Sequence, residues 1–177
     1  AQKRKGNQGK GPGNQRKGGL VMLFQKILVA FDGSEGSWKA FDFALELSAL
    51  CKKNGSSEIY VLSVVRPPEP IEIVEMEAVI DRAQSRRRQP GVIDAATTFY
   101  EEQFRKIVAK VKDKDLVLHT DILTGNPADQ IVRYAHEKKC DVVILGHRGK
   151  SRVEDWLLGS VPKRVSSYAL CHVIIVK

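Results

Sequence analysis

Residues 141–149 read Asp-Val-Val-Ile-Leu-Gly-His-Arg-Gly. The apolar run from Asp141 to Leu145 is typical of a strand buried on both faces of a parallel sheet. The loop that follows has Gly146 and Gly149 at the ends of a four-residue turn. Because glycine has no Cβ, such a loop can direct successive backbone N–H groups at one anion. This stretch therefore predicts an α/β fold with a phosphate-binding loop after a buried strand.

A second anion-binding element follows ten residues after this loop, where Gly159-Ser160 opens the next helix. A helix start offers unpaired N–H groups and a partial positive charge, and serine adds a hydroxyl. Two such elements could hold a polyphosphate from two sides. The arrangement predicts a nucleotide ligand.

Two better-known phosphate loops are excluded by spacing. A P-loop needs a glycine five positions before Gly149, and Ile144 stands there, inside the strand. A dinucleotide fingerprint is also missing, because the turn after the first strand reads Asp32-Gly-Ser-Glu-Gly36 and no acidic residue ends the second strand. The spacing therefore excludes a P-loop and argues against an NAD-binding site.

The basic charge of the chain is concentrated in its first 21 residues. The chain has 177 residues and a net charge of +8, and residues 1–21 contain six of the 29 basic residues and no acid. We predict that residues 1–21 are a disordered basic tail or an expression leader, with Met22 as the native start, and that 22–177 are one domain. A natural tail could hold RNA or DNA loosely. The nearly neutral folded domain is not expected to bind nucleic acid.

The cysteines and the hydropathy indicate a cytoplasmic protein. The three cysteines are far apart and lack Cys-x-x-Cys spacing, which argues against a disulfide framework and a zinc site. Apolar stretches are too short to span a bilayer, and the amino terminus lacks the apolar core of a signal peptide. We therefore expect no membrane association.

Strands and helices are predicted to alternate along the domain. The strands are expected at 26–31, 58–65, 116–123, 141–145 and 172–176, and the helices at 34–53, 93–111, 127–138 and after Ser160. Right-handed crossovers then give a doubly wound parallel sheet of order 3-2-1-4-5 with helices on both faces. The order reverses between strands one and four, so a ligand is expected beside Phe31 and Leu145.

Individual helices are predicted in more detail from their apolar stripes. Ser34 is expected to cap the first helix. The apolar positions predicted for its core-facing stripe are Trp38, Phe41, Leu45 and Ala49, and those of the second helix are Phe99, Phe104 and Val108. Residues 66–92 are bounded by prolines and are predicted to be an insertion with a short helix, either a lid over the crevice or a mobile charged loop.

The glycine spacing, together with Val-Ala-Phe-Asp-Gly-Ser at 29–34 and Gly-Asn-Pro-Ala at 125–128, resembles the universal stress proteins over residues 24–177. The Gly-x2-Gly-x9-Gly-Ser spacing resembles their ATP-binding branch, which shares the adenine-nucleotide alpha-hydrolase-like fold. The resemblance implies contacts to adenine, ribose and phosphates from the following residues: Ala30, Phe31, Asp32, Val64, Leu145, Gly146, Arg148, Gly149, Gly159, Ser160 and Val161.

The same resemblance implies a cytoplasmic, ATP-binding regulatory homodimer that pairs through its last strand, His172-Val176, with little or no turnover. Asp32 is a candidate contact for Mg²⁺, or an ordinary turn residue. No catalytic residue is assigned, and His147 is interpreted as non-catalytic. Pro162 removes one N–H from the phosphate-binding helix. The alternatives are slow ATP hydrolysis or self-phosphorylation, an adenylyl-transferring enzyme of similar topology, and nucleic-acid binding through the tail.

Overall fold

The computed structural model describes residues 24–51, 57–67, 91–148 and 158–177. The predicted basic tail, the middle of the predicted insertion and Gly149 lie outside these residues. The two ends of the insertion that are described are Arg66-Pro67 and Gly91-Val92, and Val92 is already the first residue of a helix.

Five parallel strands form one sheet in the order β3-β2-β1-β4-β5, which confirms the predicted topology. The elements, in chain order, are β1 Lys26–Ala30, α1 Glu35–Cys51, β2 Glu58–Val65, α2 Val92–Val111, β3 Val117–Thr124, α3 Pro127–Lys138, β4 Val142–Gly146, α4 Ser160–Tyr168 and β5 His172–Val176. The central strands β1 and β4 are almost completely buried, as their unbroken apolar runs predict.

Each face of the sheet has its own hydrophobic core. On one face, α1 and α2 bury Phe41 and Ile107 against strand residues such as Ile144. On the other face, α3 and α4 bury Ile131 and Val165 against the alternate strand residues. Because successive strand side chains point to opposite faces, helices are needed on both sides.

The buried face of α1 differs from the prediction. Phe41 is buried as expected, and Trp38 and Leu45 are partly buried against the same core. Ala49, however, is exposed, and most of the fully buried residues are small. The buried residues of the helix are Ser37, Ala40, Phe41, Ala44, Ser48 and Cys51. The prediction weighted large side chains, whereas this helix lies close enough to the sheet for small ones to make the contact.

The buried face of α2 also differs in part. Phe104 is buried as predicted, but Val108 is 51% exposed, and Ile107 and Val111 are buried in its place. The helix is therefore rotated by about one residue from the predicted orientation. This rotation turns Tyr100 toward the carboxyl end of the sheet.

Candidate functional site

A cleft of about 500 Å³ opens at the carboxyl ends of β1, β2 and β4. Its volume falls within the ~300–1,000 Å³ that is usual for small-molecule sites. Described residues that line it are Ala30, Phe31, Asp32, Ser37, Leu62, Val64, Arg66, Tyr100, Pro127, Ile131, Leu145, Gly146, Arg148, Gly159, Ser160, Val161 and Pro162. The cleft lies where the strand order reverses, which is where a doubly wound sheet places its ligands.

The floor of the cleft is held by backbone hydrogen bonds at the end of β1. The Phe31 N–H donates to the Leu62 carbonyl at 2.8 Å, and the buried Ser63 hydroxyl donates to the Phe31 carbonyl at 2.8 Å. The polar backbone groups of Phe31 are thus satisfied within the protein. Phe31 therefore supplies a fixed apolar wall.

Backbone N–H and C=O groups point to alternate sides along a strand, and this places those of Val64 on the side of the cleft. The Leu62 carbonyl points toward β1, while the Val65 carbonyl points toward β3 and accepts from the Gly125 N–H at 2.9 Å. Val64, two residues after Leu62, therefore directs its N–H and C=O to the side of β1. Because β1 ends at Ala30, which pairs with Leu62, these two groups face the cleft. They form a neighbouring donor and acceptor.

Asp32 is oriented by the turn that leads into α1. Its Oδ1 accepts from the Ser34 N–H at 2.9 Å, and the Ser34 hydroxyl oxygen accepts from the Ser37 N–H at 3.2 Å. These bonds confirm Ser34 as the cap of α1 and give Asp32 the role of a turn residue. Since the carboxylate also lines the cleft, the turn role and a ligand role are compatible.

Two glycines allow α1 to start directly against the end of β4. A Cβ on Gly146 would lie 2.6 Å from the carbonyl carbon of Gly36, a distance that real Cβ atoms do not reach. A Cβ on Gly36 would lie 2.9 Å from the Arg148 carbonyl oxygen. Packing against α1 therefore requires a glycine at position 146, whether or not a ligand binds.

His147 joins the remaining elements on this side of the cleft through its peptide groups. Its N–H donates to the Val176 carbonyl at 2.6 Å, and its carbonyl accepts from the Gly159 N–H at 3.1 Å. These two bonds hold the residue after β4, the residue before α4 and the end of β5 together.

The amino terminus of α4 is not capped by a side chain in the part of the chain that the structure describes. Gly159 occupies the cap position, and no side chain there bonds to the first turn. Ser160 and Val161 line the cleft and lie in the first helical turn, where backbone N–H groups have no acceptor within the helix, whereas Pro162 at the third helical position has no N–H. This helix start therefore offers two amide donors, one hydroxyl and a partial positive charge.

Ten of the eleven site residues predicted from sequence line this one cleft, and the eleventh, Gly149, is not described. The residues that sequence reasoning missed are Ser37, Leu62, Arg66, Tyr100, Pro127, Ile131 and Pro162 as a wall residue. Leu62, Pro127 and Ile131 belong to elements that topology places around the crevice. Tyr100 comes from α2, and no local signal in the sequence marks it.

Charge in the described part of the cleft is sparse. Asp32 is the one acidic side chain among the described lining residues, and Arg66 and Arg148 are the basic ones. Burial, followed by the charge of Asp32, raises the pKa of the Tyr100 hydroxyl above its usual value. Among the described residues, no group of three His, Cys, Asp or Glu is arranged to hold a metal ion. A cation at this site would therefore need ligand oxygens as well as protein groups.

The sheet order and the crevice at its reversal define a doubly wound α/β protein. The chain belongs to the universal stress protein family, whose family model matches residues 23–177. Universal stress protein MJ0531 of Methanocaldococcus jannaschii is 30% identical over 155 residues, which are 88% of this chain and 83% of that protein. Universal stress protein YxiE of Bacillus subtilis is 31% identical over 166 residues, which are 88% of this chain and all of that protein.

Solved structures share the fold. UspA from Lactobacillus plantarum matches with a TM-score of 0.67 at 22% identity, covering 87% of this chain and 98% of that one. A universal stress protein in complex with cAMP matches with a TM-score of 0.59 at 23% identity, covering 88% and 98%. An Arabidopsis thaliana family member with AMP bound matches with a TM-score of 0.52 at 19% identity, covering 86% and 91%.

None of the helices in the described part of the chain is long and apolar enough to cross a membrane.

Proposed function

We propose that this chain is an ATP-binding regulatory protein whose cleft holds one adenine nucleotide with its phosphates on the α4 side. One observation supports this proposal: the two ends of the same cleft offer different chemistry. At one end, the Val64 backbone offers a neighbouring donor and acceptor inside apolar walls. At the other end, the uncapped start of α4 offers amide donors to an anion.

The proposal favours adenine over guanine. The Watson–Crick edge of adenine carries an amino donor next to a ring acceptor, which complements a backbone C=O and N–H. Guanine presents an acceptor and a ring N–H there, so both contacts would be mismatched and left unsatisfied. Leu62, Ile131 and Leu145 supply apolar surface for the base. The relatives with cAMP and AMP bound carry the same base.

Mg²⁺ is proposed to enter with the nucleotide, held mainly by phosphate oxygens, with Asp32 as the nearby protein carboxylate. Turnover is proposed to be slow. Asp32 already accepts from the Ser34 N–H, and no histidine is found among the described lining residues. A general base for the attacking water is therefore not evident in this part of the site.

A homodimer through β5 is part of the proposal. β5 is an edge strand whose residues Val173 to Val176 are only partly buried, and Leu170 just before it is 85% exposed. An apolar edge of this kind favours pairing with a second copy. Sedimentation velocity of the full chain and of Ile175→Lys would test it, with a dimer expected for the first and a monomer for the second.

Calorimetric titration of the full chain with Mg-ATP tests the nucleotide site, with GTP and adenosine as comparison ligands. Micromolar ATP binding is expected, with adenosine weaker because it lacks phosphates and GTP weaker because its base is mismatched. Phosphate and pyrophosphate release, measured on the same samples, should both be slow. Equal affinity for ATP and GTP would contradict the base contact, and rapid pyrophosphate release would instead indicate adenylyl transfer.

A further inference from the structure

Two of the three cysteines come together at the amino end of the sheet, although they lie 31 positions apart in the chain. Cys140 lies two residues before β4, and Cys171 directly precedes β5. Val142 pairs with His172 in the ladder between these strands, and the His172 N–H donates to the Asp141 carbonyl at 3.1 Å. The two cysteines therefore lie on adjacent segments that backbone hydrogen bonds already join.

The backbone spacing of these segments fits a disulfide. Continuing the register of β4 and β5 by one residue pairs Asp141 with Cys171, which leaves Cys140 offset by one residue. Adjacent strands lie about 4.8 Å apart and rise about 3.3 Å per residue, so this offset separates the two Cα atoms by roughly 6 Å. Disulfides span Cα distances of roughly 4.4–6.8 Å.

Both cysteine side chains pack in the same hydrophobic core. Cys140 belongs to the buried cluster that α3 and α4 form against the sheet, and Cys171 packs against that cluster. Burial is the main cause that raises the pKa of the Cys140 thiol to about 12, and the charge of a Cys171 thiolate is the next cause. Because the interaction between two charges falls with distance, this second cause agrees with two neighbouring sulfur atoms.

The two thiols differ in exposure. Both are free, but Cys140 is buried, with 6% of its surface exposed, whereas Cys171 is partly exposed. An oxidant from solvent therefore reaches Cys171 first. Burial also raises the pKa of the Cys171 thiol, so its thiolate is scarce at neutral pH and its oxidation is slow. Such a pair responds to sustained exposure to an oxidant rather than to a brief pulse.

We propose that Cys140 and Cys171 are a redox-modification site and form a reversible disulfide when the protein is exposed to a peroxide. Cys171 Sγ attacks one oxygen of hydrogen peroxide and breaks the O–O bond, which yields a sulfenic acid and one water. Cys140 Sγ then attacks the Cys171 sulfur and breaks the S–O bond, which yields the disulfide and a second water. Two thiols thus lose two electrons and two protons to one peroxide.

The bond would tie the chain before β4 to the chain before β5, at the end of the sheet opposite the cleft. Because it closes a long loop of chain, the oxidised protein should unfold at a Tm about 5 °C higher than the reduced protein. Dithiothreitol should reverse this shift. The inference does not depend on nucleotide binding, and its test needs no nucleotide.

The test treats the full chain with hydrogen peroxide and follows free thiols, intact mass and a peptide map under non-reducing conditions. We expect the loss of two thiols, a mass lower by about two hydrogens, and one linked pair of peptides that contains Cys140 and Cys171. Retention of all three thiols would overturn the proposal. A link to Cys51, or links between two copies of the chain, would overturn it as well.

Single variants separate the roles of the two thiols. Cys140→Ala should stop the reaction at the Cys171 sulfenic acid, which dimedone traps, and Cys171→Ala should leave Cys140 largely unoxidised. Cys51→Ala is the matched control, because Cys51 is also buried but lies in α1, on the opposite face of the sheet. It should form the same disulfide as the wild type. Dimedone labelling at Cys140 in the Cys171 variant would contradict the assigned order of attack.

Discussion

Two helices begin at the cleft, and their first turns are satisfied in opposite ways. At α3, the Asn126 side chain accepts from the Ala128 and Asp129 N–H groups at 3.1 and 3.3 Å. At α4, the equivalent position is Gly159, and no side chain of a described residue caps the first turn. Both helix starts contribute lining residues, Pro127 for α3 and Ser160 for α4. Among the described residues, one helix start is therefore capped by a side chain and the other is not.

The comparison shows which helix start is able to bind an anion. A capped start has already used its N–H donors, so it gains little from a phosphate. An uncapped start at a cleft has donors whose partner must come from elsewhere, and an anion is the partner with the largest gain. Under the proposed function, the difference between Asn126 and Gly159 would be a difference between a structural helix start and a phosphate-binding one.

The largest expected effect comes from giving α4 a cap of its own. Gly159→Asp would place a carboxylate where the phosphate is proposed to bind, and should weaken ATP binding by roughly 100-fold or more, since two amide bonds to an anion are lost. The backbone accommodates any residue, because the φ of Gly159 is −58°. Calorimetry measures the loss.

Gly159→Ala separates the carboxylate from the added Cβ, which would lie 3.3 Å from the His147 carbonyl oxygen. It should cost much less ATP affinity than Gly159→Asp. If alanine and aspartate weaken binding equally, the effect is steric and the comparison between the two helix starts fails.

The reciprocal change removes the cap of α3. Asn126→Ala should lower the free energy of unfolding by about 1 kcal/mol, the usual cost of losing an N-cap, and leave ATP affinity within about twofold. Urea denaturation and calorimetry on the same sample measure the two quantities. A large loss of ATP affinity without loss of stability would mean that α3 also serves the ligand.

A smaller effect is expected from restoring the missing donor of α4. Pro162→Ser returns an N–H at the third helical position, and should strengthen ATP binding by roughly threefold, the gain of one modest hydrogen bond. Adenosine affinity should not change, since it has no phosphate. An equal gain for adenosine would place the effect outside the phosphate contact.

The smallest effect is a change in stability predicted near the amino end of β2, away from the cleft. Polar side chains there bond to each other within the protein. The Tyr60 hydroxyl donates to Glu58 at 2.5 Å, and this bond is the main cause of the lowered pKa of the Glu58 carboxyl. A lowered pKa in the folded state stabilises the fold above the unfolded pKa of about 4.3, and this stabilisation is lost as pH falls through the folded value.

Tyr60→Phe should therefore reduce stability by a few tenths of a kcal/mol at pH 7, because Glu58 is partly exposed, and by less below pH 4. Thermal unfolding at several pH values measures the difference. ATP affinity is expected to stay at the wild-type value. A stability loss that is constant with pH would show that the tyrosine acts through packing alone.

Strand order and element bounds were predictable because they follow from local patterns. The unbroken apolar runs of β1 and β4 indicate burial on both faces, and the alternation with helical stretches leaves few topologies. The starts of α1 and α3 were marked by Ser34 and by Asn126-Pro127, residues that stop or begin a helix by their own chemistry. The bounds of β1, β3 and β4 differ by one residue from the prediction. The larger errors concern which side of a helix is buried, as at Ala49 and Val108.

Local patterns in the chain are enough to predict the doubly wound sheet and the glycines around the cleft, since periodicity, capping residues and missing side chains act over a few neighbouring residues. Tertiary packing alone brings Gly36 against Gly146 and places Tyr100 in the same cleft as Asp32. These contacts join segments that are 68 or more residues apart in the chain. They depend on how far a helix rotates and how closely it approaches the sheet, which is set by the packing of the whole core.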